Sequence, residues 1–576
     1  MSFSIALPFR AILWPLIGAA TILILGRLLP NWLRRLAAAV FGMLSLSSLS
    51  ALRSVEPARI GIPWEPINLF RTSPSFYPDA LSVAAGIALA GVTVALVLGI
   101  RDRGQRTPWH ALMLVALAGS VMTLLAANLV TLALGSALLD LTVIAAVLWV
   151  RTGDEQGRPT LAMAVPGVLS TSLLFFTALW LDTSAGHTSL WARSLPGQTL
   201  QLIGIAGLLR MLIFPLHPQR LNAPQDAASV LLPVGTGIYL LARVQGLEPV
   251  LAGTWGFMAL GLLAALIGSL LVWCGGLTSR ADREGTSGIA RLWSAGLSYQ
   301  TGYAVVLALL FPKGALWPVL CLPVALGALA VWWDAGLPKE EGTGSGWFER
   351  VWHSTAPQRV WLYARGIERF PALERWPGSS AIRYLIAILP VIALASIAGA
   401  PLTAGFRQRW PLYAVLLDEG SPNLLLVSVA DAFVVAGFWL IMGPTLKRAD
   451  RRRSAPASML VVGLLALLLV VAGVSADGFG LRPVPPSDVS VWGLGLFFVL
   501  PWLVGTWLAR WPSHLADYAQ SIQSIANLGW LYRALSWIGQ RLSGLFYWLG
   551  KVGEGEGWWG WALIILALGA VFLTAR

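Results

Sequence analysis

The sequence is short of charge: Asp, Glu, Lys and Arg make up 12% of its 576 residues, about half of what a soluble globular domain carries. No polar stretch is long enough to form a separate water-facing domain. Cysteine is nearly absent. Cys274 and Cys321 stand alone inside apolar runs, which excludes a disulfide framework, a CxxC metal knuckle and an iron–sulfur spacing. Histidine is scarce, and His110, His187, His217, His353 and His514 are scattered. No metal, flavin, nucleotide or nucleophile constellation emerges, so neither a resident cofactor nor an active site within the chain is expected.

What is abundant is apolar: 57% of the residues, with a mean hydropathy of +0.72. Runs of roughly 18–25 apolar residues, each able to cross a ~30 Å hydrocarbon core as a helix, recur near 11–29, 33–52, 80–100, 109–127, 128–150, 161–181, 199–217, 227–245, 251–275, 286–310, 315–334, 380–404, 422–443, 457–475, 489–509 and 557–574. They predict an all-α, polytopic membrane protein with about sixteen spans. The net charge of +13 does not point to nucleic acid, because the arginines sit in short loops beside the apolar runs. Loops after odd-numbered spans carry Arg34 and Arg35, Arg101, Arg103 and Arg106, Arg151 and Arg158, Arg280 and Arg283, and the cluster Lys447 to Arg453. Positive loops face the cytoplasm, which predicts an inner (plasma) membrane protein with both termini outside.

Two stretches are neither spans nor ordinary loops. Residues 344–372 interleave Trp347, Trp352 and Trp361 with Arg350, Arg359 and Arg365, a mixture suited to the headgroup region. In 515–550, Ile522, Ile525, Leu528, Leu531, Leu535, Ile538, Leu542, Leu545 and Leu549 recur at steps of three or four. That is one apolar stripe of an amphipathic helix lying on the cytoplasmic surface.

Charges within spans cost a few kcal/mol or more and mark function or pairing. Asp140 falls in the fifth span, Arg210 in the seventh, five residues before Pro215, and Asp431 in the thirteenth, while Arg409 follows the helix-breaking Pro401. Salt bridges between helices are the plainest use of such residues.

The spacing around them resembles a known family. Arg210-Met-Leu-Ile-Phe214-Pro215-Leu216-His217 is similar to the seventh-helix motif of the antiporter-like membrane subunits of respiratory complex I (NADH:quinone oxidoreductase) and of Mrp-type cation/proton antiporters. Further pieces follow in the family's order: Tyr77-Pro-Asp79-Ala-Leu-Ser82, Asn128 to Gly135, Gly237 to Arg243, Arg291 with Gln300-Thr-Gly302-Tyr303, and Ser396 to Phe406 with Arg409. The resemblance implies two inverted five-helix repeats, at 109–245 and 251–443, each with one broken helix. The first is preceded by N-terminal membrane helices at 1–108. The second contains the interfacial insert and is followed by membrane helices at 444–514 and by the surface helix and final span at 515–576. It also implies a chain of protonatable residues across the membrane and, as partners, other membrane subunits of a larger complex.

The departures from that pattern are chemical. The family's fifth-helix glutamate is Ala137, its seventh-helix lysine is Arg210, its eighth-helix histidine falls at Ser229, its tenth-helix lysine at Ala290, and the basic or acidic residue of its broken twelfth helix is Arg409. Guanidinium does not give up its proton in proteins, whereas a buried lysine can. The arginines are therefore expected to act as fixed charges beside carboxylates: Arg210 facing Asp140, and Arg409 served by Asp431. His217 is expected to hydrogen-bond the broken turn. A non-conducting scaffold, as in a hydrogenase-like or inorganic-carbon-accumulating complex, stands as the alternative to proton or cation translocation.

Overall fold

The structure, a computed structural model, describes residues 3–25, 29–54, 60–61, 74–100, 109–150, 158–191, 195–216, 221, 223–247, 255–281, 285–311, 314, 316–335, 379–449, 456–474, 491–510 and a few positions between 518 and 541. Among them the chain forms α1 (Phe3–Leu25), α2 (Asn31–Leu52), α3 (Ala80–Gly99), α4 (Trp109–Leu124), α5 (Leu129–Val150), α6 (Arg158–Ala185), α7 (Gly197–Arg210) and α8 (Pro224–Leu247). There follow α9 (Trp255–Ala281), α10 (Gly285–Leu310), α11 (Leu316–Ala335), α12 (Ser379–Ile397), α13 (Ala404–Asp418), α14 (Asn423–Ala449), α15 (Pro456–Val474) and α16 (Val491–Ala509). Eight of these, α1, α2, α3, α6, α8, α9, α11 and α14, are long and apolar enough to cross a membrane, and α4, α5, α12, α15 and α16 contribute shorter apolar helices. The chain is a multi-pass helical membrane protein. The insert at 344–372, most of the surface stripe at 515–550, the last span at 557–574 and His217 lie outside the described residues.

Burial sorts the helices. α8 and α11 are enclosed on nearly every side, packing on each other and on α3, α4, α10 and α15. α15 and α16 turn Leu460, Leu464, Leu467, Leu496, Val499 and Leu503 outward, as helices facing lipid tails do, because tails solvate leucine as well as protein does. Without a hydrophobic drive between them, membrane helices associate through close backbone contact at small residues. The α9–α10 seam is of this kind: a Cβ on Gly268 would stand 2.3 Å from the Tyr299 backbone nitrogen, and one on Gly302 2.4 Å from that of Ala265.

The loops after α2, α4 and α6 meet at one end of the bundle, as alternate crossings require. There β1 (Ile60–Gly61) pairs antiparallel with β2 (Ser75–Phe76), and β2 continues into backbone bonds with the α4–α5 turn. Tyr77 N–H donates to the Leu125 carbonyl and Ala127 N–H to that of Ser75, both at 2.8 Å. The α4–α5 turn in turn bonds the α6–α7 loop, with Leu129 N–H on the Thr188 carbonyl at 2.9 Å and Leu190 N–H on that of Ala127 at 3.1 Å. Backbone polar groups near a membrane need partners of this sort.

Two expected spans are interrupted. α7 has 14 residues, about 21 Å of helix, too short for the membrane core. It stops at Arg210, ahead of Pro215, because the chain turns through Leu212 at φ 50°. α12 ends at Ile397 in a Schellman turn, the helix stop made by one left-handed residue. Gly399 holds φ 71°, its N–H donates to the Ser396 carbonyl at 3.0 Å, and the Ala400 N–H donates to that of Ala395 at 2.8 Å. Pro401 and Leu402, at φ 67°, then carry the chain to α13. The turn leaves the Ile397 carbonyl without a helical partner.

Candidate functional site

Each break carries a guanidinium opposite a carboxylate. In the first centre, Asp140 on α5, Thr171 on α6 and Arg210 at the end of α7 stand 11, 14 and 13 residues from the helix ends that share the stitched loop face. At 1.5 Å per residue all three lie roughly 17–21 Å below that face. Arg210 Nη1 and Nη2 donate to Asp140 Oδ1 at 3.1 Å and Oδ2 at 3.2 Å, the bidentate geometry that suits arginine to carboxylates. Nη2 also donates to Thr171 Oγ1 at 2.7 Å, and that hydroxyl in turn donates a hydrogen bond to Asp140 Oδ2. The Arg210 side chain is fully buried and that of Asp140 8% exposed. Ser170, donating to the Ala206 carbonyl at 2.7 Å, ties α6 to α7. The centre is electrically neutral and closed.

The second centre gathers α10, α12, α13 and α14. Arg409 Nη2 donates to the orphan Ile397 carbonyl at 2.7 Å and to the Tyr299 hydroxyl. Its Nε lies 2.9 Å from Asp431 Oδ2, an ion-pair distance without hydrogen-bond alignment. Tyr299 donates to Asp431 Oδ1, and Tyr413 donates to Oδ2 at 2.8 Å. A cation at a helix C-terminus also meets the negative end of the backbone dipole, and Arg409 does so at α12. Gln300 Nε2 adds a longer contact to the Ile397 carbonyl at 3.3 Å, and Gln408 Nε2 reaches Gln300 Oε1 at 3.4 Å.

The structure thus brings Asp140 to Arg210 and Asp431 to Arg409. It does not bring Ser229 to either centre: its hydroxyl donates to the Asp226 carbonyl at 2.8 Å in the first turn of α8. Pro215 and Pro401 sit in the two interruptions. Among the described residues no group of three His, Cys, Asp or Glu could hold a metal ion. Thr171, Tyr299 and Tyr413 escaped the sequence reading. A mid-helix threonine commonly bonds its own backbone, so Thr171 gives no signal, and the two tyrosines give none beyond a hydroxyl within a helical run.

A third ion pair joins two of the sequence motifs. Asp79 caps α3 through a reciprocal bond with Ser82 and accepts from Arg243 Nη1 at 2.8 Å and Nη2 at 2.6 Å. Arg243 also lies 4.7 Å over the Trp191 ring. Burial opposes the charged form of Asp79, but the hydrogen bonds and charge of Arg243 outweigh it and hold the carboxyl below its ordinary value. A depressed carboxylate contributes stability above the unfolded value of about 3.9 and loses it as pH falls through the folded value. Asp79→Asn is therefore expected to lower the melting temperature in detergent at neutral pH, by the equivalent of about 1–3 kcal/mol. The gap to the unmodified protein should close as the pH is taken below about 4. A gap independent of pH would show that the charge is not what matters.

Two neutral guanidinium–carboxylate centres at broken helices, within a sheath of apolar spans, are the geometry against which known proteins can be compared. No model of a known protein family matches the chain. It is 23% identical over 426 residues to NADH-quinone oxidoreductase subunit N of Myxococcus xanthus (strain DK1622), covering 68% of this chain and 80% of that protein. It is 27% identical over 472 residues to the same-named subunit of Ectopseudomonas mendocina (strain ymp), covering 76% and 89%. In fold it resembles a chain of the Mrp complex from Dietzia sp. DQ12-45-1b, with a TM-score of 0.67 at 16% identity, covering 99% of this chain and 63% of the longer Mrp chain. A chain of Thermus thermophilus respiratory complex I matches with a TM-score of 0.59 at 17% identity, covering 88% and 100%. The chain is thus similar, distantly in sequence and more closely in fold, to the antiporter-like membrane subunits of such complexes. At both of its broken helices stands an arginine held by a carboxylate and a hydroxyl.

Proposed function

We propose that the chain is a membrane subunit of a multi-subunit complex of the complex I or Mrp type, supporting proton or cation translocation without a lysine relay of its own. The carrying observation is that both cations at the breaks are guanidiniums in ion pairs, Arg210 with Asp140 and Arg409 with Asp431. A relay needs groups that release and regain protons, and guanidinium does not. Arginine-rich loops argue for the plasma membrane with both termini outward, and the repeat boundaries 109–245 and 251–443 are carried by the two interruptions. Other membrane subunits and lipid are its partners; nucleic acid is not.

Two measurements test this. Purification of the native complex is expected to recover further membrane subunits, and a chain that purifies alone under mild conditions counts against assembly. In reconstituted vesicles, the unmodified protein is expected to pass few protons, and Arg210→Lys with Arg409→Lys to pass more. Robust flux that survives Asp140→Asn and Asp431→Asn together would refute the absence of a relay. A purely structural scaffold is the second reading, favoured by the closed first centre. It requires that the lysine variants gain nothing.

A further inference from the structure

The surroundings of Arg409 are those of a cation site. They offer oxygen from three sources: the Ile397 carbonyl at a helix C-terminus, the Asp431 carboxylate and the Tyr299 hydroxyl. The guanidinium carbon also stands 5.7 Å from the ring centres of both Tyr299 and Tyr303, within the range at which an aromatic face attracts a cation. Yet the fit is to charge more than to shape. Arg409 Nε and Nη1 have no hydrogen-bond partner among the described residues, and neither does the buried Tyr303 hydroxyl. The backbone has been cleared for the head group, because a Cβ on Gly399 would lie 1.4 Å from Nη1.

We propose that this pocket is a monovalent-cation site filled by the chain's own guanidinium. Arg409 is a tethered cation that neutralises Asp431 and the end of α12 and so denies the pocket to free ions. The inference rests on this geometry alone and stands whether or not the chain assembles with partners. Removing the tether should leave a pocket that still requires a positive charge, and a free cation can then supply it.

The test is chemical rescue of Arg409→Ala in detergent, with millimolar guanidinium chloride as the probe, far below the molar range in which it denatures. Sodium chloride and potassium chloride at equal ionic strength are the controls for salt. Guanidinium is expected to raise the melting temperature of Arg409→Ala by about 3–5 °C and to leave the unmodified protein unmoved. Arg409→Ala with Asp431→Asn should not respond, since the pocket then has no net charge to satisfy. A specific response to sodium or potassium would equally show a freed cation site. An equal response in all three proteins, or none in Arg409→Ala, overturns the proposal. Should Arg409→Ala fail to fold without the ion, recovery of folded protein only when guanidinium is present during purification supports it. Arg409→Gln, which keeps much of the side-chain volume, then carries the same titration, and failure of both variants in guanidinium also overturns it.

Discussion

Asp140→Leu is expected to destabilise the protein by about 3–5 kcal/mol, the cost of leaving one member of a buried ion pair uncompensated. The fully buried Arg210 would keep its charge, with only the Thr171 hydroxyl left as a partner among the described residues. Arg210→Leu alone should cost a similar amount for the opposite reason. The double variant Asp140→Leu/Arg210→Leu removes both charges and leaves apolar volume in their place, an exchange that is often neutral or favourable. Melting measurements on the four proteins should therefore be strongly non-additive, with the double variant more stable than either single one. Strict additivity would mean that the two residues do not interact energetically.

Gly399→Ala should be as damaging, through backbone and contact together. Holding an L-residue at φ 71° costs about 1–2 kcal/mol. The new Cβ would also occupy the place of Arg409 Nη1, at 1.4 Å, so the guanidinium must leave the Ile397 carbonyl or the helix stop must unwind. Either outcome puts the loss at about 4 kcal/mol, in the range reserved for named structural faults. Gly420 has a similar φ of 58° with open space around its would-be Cβ, so Gly420→Ala isolates the backbone part and should cost about 1–2 kcal/mol. Equal melting shifts for the two variants would mean that the contact with Arg409 contributes nothing.

The helices were legible because a span needs a long apolar run and the runs are there. The charged members of both centres were legible for the converse reason: so few charges interrupt those runs that Asp140, Arg210, Arg409 and Asp431 announce themselves. Their neutral partners do not. Thr171 and Tyr413 look like ordinary helix residues until packing aims their hydroxyls at a carboxylate. Tyr299 stands one residue ahead of the Gln300-Thr-Gly302-Tyr303 motif and outside it, so nothing in the sequence singles it out. The apolar run at 199–217 outlasts α7, which ends at Arg210, because proline is the visible breaker whereas Leu212 carries the left-handed turn. The bond from Arg409 to Ile397 could not be read at all, because it exists only once the Schellman turn has left that one carbonyl over. Asp79 lies inside one motif and Arg243 ends another, 164 positions away, and nothing local says that they meet.

The stitched loops have a mechanical consequence. Backbone bonds join the α2–α3, α4–α5 and α6–α7 connections in series, so the ends of α3 to α7 on that face cannot splay one at a time. A passage from that face to Arg210 would have to break several such bonds at once or swing the whole group as a single plate. Crosslinking Ser75 to Asn128, whose side chains are 2.9 Å apart, would lock the α2–α3 connection to the α4–α5 turn without touching either ion pair, making that part of the face a fixed wall against which any working motion is measured.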